Sequence, residues 1–116
     1  MTPQYVYAAT VVSVYDGDTM TLDVDLGFYV RVRMACRLLG INAPELRDEG
    51  GRVARDTLRA LCPVGVGVTV KSVKPDKYGG RFDGTVTLPD GRDVSQLLIA
   101  ARVAAPWDGN GPKPLP

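Results

Sequence analysis

The 116-residue sequence contains no histidine and only two cysteines, Cys36 and Cys62. Because histidine is absent, the sequence excludes His/Cys zinc sites and catalysis by a histidine general base. The two cysteines lack a metal-ligand spacing, and we expect both to be small core residues rather than nucleophiles. Any metal site in this chain must therefore use oxygen ligands.

Net charge and long apolar runs are also scarce. Fourteen basic residues against thirteen acidic ones leave a net charge of +1, which excludes the overall positive field of a dedicated nucleic-acid binder. Any affinity for nucleic acid must therefore be local. The amino terminus lacks the charged and apolar segments of a signal peptide, and no apolar run is long enough to span a bilayer. We therefore expect a cytoplasmic protein with no membrane partner.

Apolar periodicity divides the chain into five strands and two helices. The patterns predict strands over 5–15, 19–26, 28–39, 64–73 and 82–88, one helix over 52–62 and a second helix capped by Asp93. This order is expected of an OB-fold, a mainly β, five-stranded Greek-key barrel with two helices. We expect one domain over 1–107 and a flexible, Gly- and Pro-rich tail over 108–116.

Residues 16–19, Asp-Gly-Asp-Thr, could form an ordinary hairpin turn in which Gly17 supplies a positive φ. Asn42 and Glu45 favour a functional interpretation. They lie in a proline-containing loop directly after the third predicted strand, and this strand is expected to pair with the second, which begins beside Asp18. Oxygens of Asp18 and Asn42, a backbone carbonyl and waters would suit calcium. With so few anionic ligands, we expect weak binding.

Arginines alternate along the third predicted strand. Arg37 either sits in solvent as an edge charge or points into a groove, where its guanidinium could hold a phosphate oxygen in a bidentate contact. Arg31 and Arg33 are more typical of a solvated face that at best steers a nucleic-acid backbone.

Residues 76–81, Asp-Lys-Tyr-Gly-Gly-Arg, are either a polar turn or a phosphate cradle. In the second interpretation, the glycines let the backbone approach a ligand closely. Lys77 and Arg81 would supply charge, and Tyr78 would supply a hydroxyl and a stacking face. Trp107 could close the barrel edge or stack a base, and the sequence does not decide between these alternatives.

Three motifs in this order resemble the staphylococcal nuclease (thermonuclease) family. They are Asp-Gly-Asp-Thr at 16–19, Arg-Leu-Leu-Gly-Ile-Asn-Ala-Pro-Glu at 37–45 and Asp-Lys-Tyr-Gly at 76–79. The resemblance covers the chain from about Val11 to Trp107. It implies an OB-type barrel and calcium-dependent hydrolysis of DNA and RNA, endo- or exonucleolytic, that leaves 3′-phosphate ends. The glycine-rich turn and the short ending look most similar to phage-borne members.

The resemblance also implies roles for individual residues. Asp18, Asn42 and the backbone carbonyl of Ala43 would be the calcium ligands, and Glu45 would lie near the attacking water. The residues implied to hold phosphates are Arg37 and Arg81 at the reacting phosphate, and Lys77 and Tyr78 at a neighbouring one.

Three departures from the family pattern change these expectations. Asn42 replaces the usual second calcium carboxylate, which should weaken calcium binding. The added Gly80 shifts Arg81 by one residue, about 3.3 Å along a strand. The chain stops after its second helix, where longer family members continue into a third, so we expect either a less stable barrel or one that pairs with itself. The expected state is a monomer or a homodimer. The substrate would be single-stranded or frayed DNA or RNA.

Two alternatives to a nuclease remain open from the sequence. The chain could be a catalytically weak or inactive OB-fold module that binds nucleic acid or a protein, having lost its metal through Asn42. It could also be a structural or inhibitory protein whose basic face contacts a partner.

Overall fold

A closed five-stranded β-barrel dominates the computed structural model, which describes residues 2–77 and 79–116. The elements in chain order are β1 (Val6–Asp16), β2 (Thr19–Asp25), β3 (Arg31–Leu38), β4 (Ile41–Asn42), α1 (Gly51–Leu61), β5 (Gly67–Pro75), β6 (Arg81–Thr87), α2 (Val94–Ala100) and β7 (Ala105–Pro106).

The barrel strands neighbour one another in the order β1, β2, β3, β6, β5, and β5 pairs back with β1. Neighbours are antiparallel except β3 and β6, which run parallel. The predicted OB-fold, a mainly β barrel with two helices, is confirmed. Helix α1 lies between the third and fourth barrel strands in the chain, as the sequence indicated.

Alternation of side chains along the strands builds the core. In β2, Met20, Leu22 and Val24 are buried while the intervening residues are more exposed, as expected where one sheet face is covered. Leu58 of α1 and Leu98 of α2 are fully buried in the same apolar cluster. The helices therefore complete the barrel core.

The third predicted strand begins too early. Residues 27–30 form a tight turn in which Val30 N donates to Gly27 O at 2.9 Å, and β3 starts only at Arg31. Phe28 and Tyr29 both have positive φ and are 95% and 105% exposed. Val30, which ends this turn, is half exposed and lies outside the apolar core.

The short strands β4 and β7 were not predicted. They pair antiparallel, with Asn42 opposite Ala105, and Trp107 N then donates to Gly40 O at 2.9 Å. The tail follows, and its Pro114 carbonyl accepts a hydrogen bond from Asn42 Nδ2 at 2.9 Å. The flexibility expected of residues 108–116 stays a prediction.

The predicted cap of α2 is confirmed, because the Asp93 side chain accepts a hydrogen bond from Ser95 N. Neither helix formed by the described residues has the length and apolar content needed to cross a bilayer.

Candidate active site

The turn between β1 and β2 brings two carboxylates, Asp16 and Asp18, to a cleft of about 430 Å³. Asp16 Oδ1 accepts a hydrogen bond from Asp18 N at 3.1 Å, which fixes the turn. Asp18 is buried, and its Oδ2 accepts a hydrogen bond from Ala43 N at 3.0 Å. Thr19 Oγ1 donates to the other carboxylate oxygen of Asp18 at 3.3 Å. These bonds connect the turn to the loop after β4.

Gly17 is needed for space rather than for a positive φ, so the conformational reason expected from the sequence is wrong. A Cβ at position 17 would lie 2.6 Å from Ala54 Cβ and 2.7 Å from Ala43 Cβ. Both distances are far shorter than an ordinary contact between carbon atoms. The absence of a side chain therefore lets the carboxylate turn pack directly on α1 and on the loop after β4.

Negative charge is concentrated at this turn. Burial, and then the charge of Asp18, raises the pKa of Asp16 to about 6, and nearby Arg37 opposes the rise. Two carboxylates that repel one another in a partly desolvated cleft favour a bound cation, since the cation relieves the repulsion.

The oxygen atoms lining the cleft fit a hard cation such as calcium. Asp16, Asp18 and Asn42, whose side chains carry oxygen atoms, line the cleft, and Ala43 lines it as well. Within residues 2–77 and 79–116, no group of three or more His, Cys, Asp or Glu side chains is arranged to hold a metal ion. A cation here would therefore need the Asn42 amide and backbone oxygens, which calcium accepts readily.

Arg37 lies in the same cleft, and its interpretation as an exposed edge charge is wrong. Its side chain is 15% exposed. One guanidinium nitrogen donates to Leu38 O at 2.7 Å, and the other donates to Ile41 O at 3.2 Å and lies 3.5 Å from Asp18 Oδ2. These contacts anchor the guanidinium and leave further N–H donors for a ligand.

Glu45 and Arg81 line this cleft too. The Glu45 side chain is 53% exposed, and its Oε2 lies 2.9 Å from a guanidinium nitrogen of Arg47. Arg81 Nε lies 3.1 Å from Oδ2 of Asp76, whose side chain is buried. The extra Gly80 therefore does not remove Arg81 from the cleft wall. The roles predicted for Glu45 and Arg81 stay predictions.

A second cleft of about 380 Å³ adjoins the first, because Arg37 and Arg81 line both. Exposed Lys77 and half-buried Trp107 lie in its wall. Lys77 thus lines the second cleft and not the first, which holds Asp16 and Asp18, and Trp107 shares the second cleft with the two arginines. Tyr78, predicted to bind substrate, lies outside the described residues.

Several cleft residues were not recognised from the sequence. Asp16 and Asp76 lie inside motifs that the sequence analysis singled out, so a signal for them existed. Asp83 of β6 lines the second cleft, and Lys113 of the tail lines both clefts. No periodicity or motif marks either of these two residues.

Both cysteines are free and buried, which confirms the expectation that they are core residues. Burial, the largest effect at each, raises the pKa of Cys36 to about 12 and that of Cys62 to about 11. Neither thiol therefore forms the thiolate that nucleophilic chemistry requires.

Arg31 and Arg33, at the start of β3, do not line the first cleft, and Arg31 is paired with two carboxylates of β2. Arg31 Nε lies 3.2 Å from Asp23 Oδ2, and another nitrogen lies 3.7 Å from Asp25 Oδ2. This part of β3 is exposed, as expected of a solvated face.

The chain is similar to two curated proteins, from Escherichia coli O157:H7 and Escherichia coli, each named "uncharacterized endonuclease". Each is 39% identical to this chain over 97 residues, a region that covers 84% of this chain and 58% of the relative. The chain thus spans less than two thirds of the length of these relatives. No protein-family model matches it.

Proposed function

We propose that this chain is a metal-dependent nuclease of the staphylococcal nuclease type, which hydrolyses phosphodiester bonds in single-stranded or frayed DNA or RNA. The observation that carries the proposal is that Asp18, Arg37 and Glu45, from three separate segments, line one cleft. The similarity to proteins named as endonucleases supports the same reaction class.

Asp18, Asn42 and the Ala43 carbonyl would hold calcium, bound weakly because Asp18 is the one carboxylate among the three. When bound, calcium supplies positive charge that offsets the charge on the phosphate. The free N–H donors of Arg37 would hold a non-bridging phosphate oxygen as charge builds on it. Arg81, which lines the same cleft from the start of β6, would contact the same phosphate.

In this proposal, Glu45 would orient the attacking water. Its side chain lines the cleft and is partly exposed, so water can reach the carboxylate. The water oxygen would form a bond to phosphorus in line with the leaving 5′ oxygen, and the P–O5′ bond would break. The proton lost by the water ends on solvent and the 5′ oxygen gains one, which leaves a 3′-phosphate and a 5′-hydroxyl end.

The ion pair between Glu45 and Arg47 favours a second candidate, an inactive module that binds nucleic acid or a protein. In this pair the carboxylate is engaged by Arg47 at 2.9 Å rather than by a water. Such a module would bind oligonucleotides with strong salt dependence and would not cleave them.

A cleavage assay on the purified chain separates the two candidates. In millimolar calcium, we expect denatured DNA or RNA to be cut to 3′-phosphate products, and we expect chelation of calcium to stop the reaction. Glu45→Gln should lower the rate by about 100-fold, as loss of a proton-handling or water-orienting group does.

Glu49→Gln is the matched control, because Glu49 is exposed on the same loop and lies outside the cleft wall. Its rate should equal that of the unchanged chain. Intact substrate in calcium, together with salt-sensitive oligonucleotide binding, would support the module and contradict the nuclease.

A further inference from the structure

The side chain of Asn42 is anchored by the tail. Its Nδ2 donates to the carbonyl oxygen of Pro114 at 2.9 Å, across 72 residues of chain. Among the residues that the structure describes, the Asn42 side chain makes this hydrogen bond and no other. Asn42 is buried and Pro114 is half-buried, so the bond is shielded from water.

A carboxamide has two unlike ends, and this makes its orientation matter. The NH₂ end donates and the oxygen end accepts. A hard cation needs the oxygen, and an NH₂ group turned towards the cation would repel it. A carboxylate at the same position has two equivalent oxygens and therefore no wrong orientation.

A backbone carbonyl can only accept a hydrogen bond. The Pro114 carbonyl therefore selects the NH₂ end of Asn42. The other end, Oδ1, accepts no hydrogen bond from the described residues. Asn42 lines the cleft that also holds Asp16 and Asp18. The tail bond thus favours the amide orientation that a cation in this cleft requires.

We propose that Pro114 is a positioning residue for the cation site, and that its carbonyl keeps the Asn42 amide oxygen available to the metal. This inference rests on the proposed function, because it needs a cation held by Asp18 and Asn42. It makes the tail segment 112–116 part of the site.

Removing the tail tests this idea, but it also removes Lys113, a positive charge in the cleft wall. The experiment therefore uses four proteins: the full chain and the chain ending at Gly111, each with and without Asn42→Asp. The loss of Lys113 is common to both truncations and cancels in the comparison. No residue after Ala105 is among the buried apolar core, so the shortened chain retains that core.

Calcium affinity is measured by calorimetric titration with calcium alone, and folding is checked by circular dichroism. With Asn42 present, truncation should weaken binding about fivefold more than it does in the Asn42→Asp pair, given the net strength of one hydrogen bond. In the Asn42→Asp background, the Pro114 carbonyl faces an acceptor, so truncation should not weaken binding through this contact.

Nuclear magnetic resonance of the full chain provides a second readout that does not depend on truncation. The Asn42 side-chain NH₂ protons should show nuclear Overhauser contacts to protons of Pro114 and Leu115, and lack of these contacts overturns the inference. Equal weakening in both backgrounds overturns it as well and leaves the cation site intact. Absence of calcium binding in all four proteins overturns the metal-dependent function and this inference together.

Discussion

Gly17 sets how closely the Asp18 carboxylate approaches the loop after β4. In Gly17→Ala, the new methyl would collide with the methyl groups of Ala43 and Ala54 at 2.7 and 2.6 Å, and neither can rotate away. We expect a loss of about 1–3 kcal/mol in the free energy of unfolding, as for other overpacked sites. Cleavage should also fall, because the turn moves away from its 3.0 Å bond to Ala43 N. Urea denaturation and the cleavage assay measure both effects.

Gly67→Ala is the matched control for this substitution. Gly67 does not have a positive φ, and the nearest atom to an added Cβ is Ala9 O at 4.0 Å. Its unfolding free energy should change by less than about 0.5 kcal/mol. A Gly17→Ala chain as stable as this control would contradict the packing explanation.

At the residue scale, the sequence predicted which side chains line the cleft better than it predicted their contacts. Asp18 was recognised from its motif. Arg37 was recognised from the alternation of side chains along its strand. The contacts of Glu45 with Arg47 and of Arg81 with Asp76 depend on side-chain geometry between loops. Such contacts carry no periodic signal in the sequence.

At the scale of elements, the turn between β2 and β3 is strained. Phe28 and Tyr29 have φ values of 54° and 62°, in a region that costs side-chain-bearing residues about 1–2 kcal/mol each. Both rings are exposed, so replacing them removes little burial. We expect Phe28→Asn combined with Tyr29→Gly to raise the unfolding free energy by about 1 kcal/mol, since Asn-Gly suits this turn. Thermal and urea unfolding measure the gain.

Tyr29→Ala separates relief of strain from loss of the exposed ring. It removes the ring but keeps a Cβ at positive φ, so stability should not rise. If Tyr29→Ala stabilised the chain as much as the Asn-Gly turn, then backbone strain would not be the cause.

The barrel strands were predictable because seven or more residues of alternating burial give a clear pattern. In β4 and β7, two residues each are too few to form such a pattern. Their pairing depends on Asn42 and Ala105 meeting across 63 positions of chain, which follows from closure of the barrel and the placement of α2. Tertiary context, rather than local sequence, decides these short elements.

At the scale of the whole molecule, the site is assembled from segments far apart in the chain. The turn carrying Asp18, the end of β3 with Arg37 and the loop with Glu45 were each marked by a motif. The tail was not, because its glycines and prolines predict flexibility and give no indication of a docking position. The contact between Pro114 and Asn42 could therefore be found only from the structure.

Charge burial at the second cleft makes the stability of the whole molecule depend on pH. Burial, and then a hydrogen bond and charge from Asp76, raise the pKa of Asp83, while Lys74 and Arg37 oppose the rise. Asp83 Oδ1 is buried and accepts no hydrogen bond from the described residues. The folded chain therefore holds this proton more tightly than the unfolded chain does, whose carboxyl has a pKa of about 3.9.

The sign of the effect follows from proton linkage. As pH rises above about 4, the unfolded chain loses the Asp83 proton before the folded chain does, so stability falls until the folded carboxyl has also ionised.

Asp83→Asn removes this loss of stability. We expect the variant to melt at a higher temperature than the unchanged chain at pH 7, with the difference shrinking towards pH 4. Calorimetric melts between pH 4 and pH 8 measure the difference, and Asp48→Asn at an exposed position should show none. A difference that stayed constant from pH 4 to pH 8 would show that packing, rather than a buried charge, distinguishes the two chains.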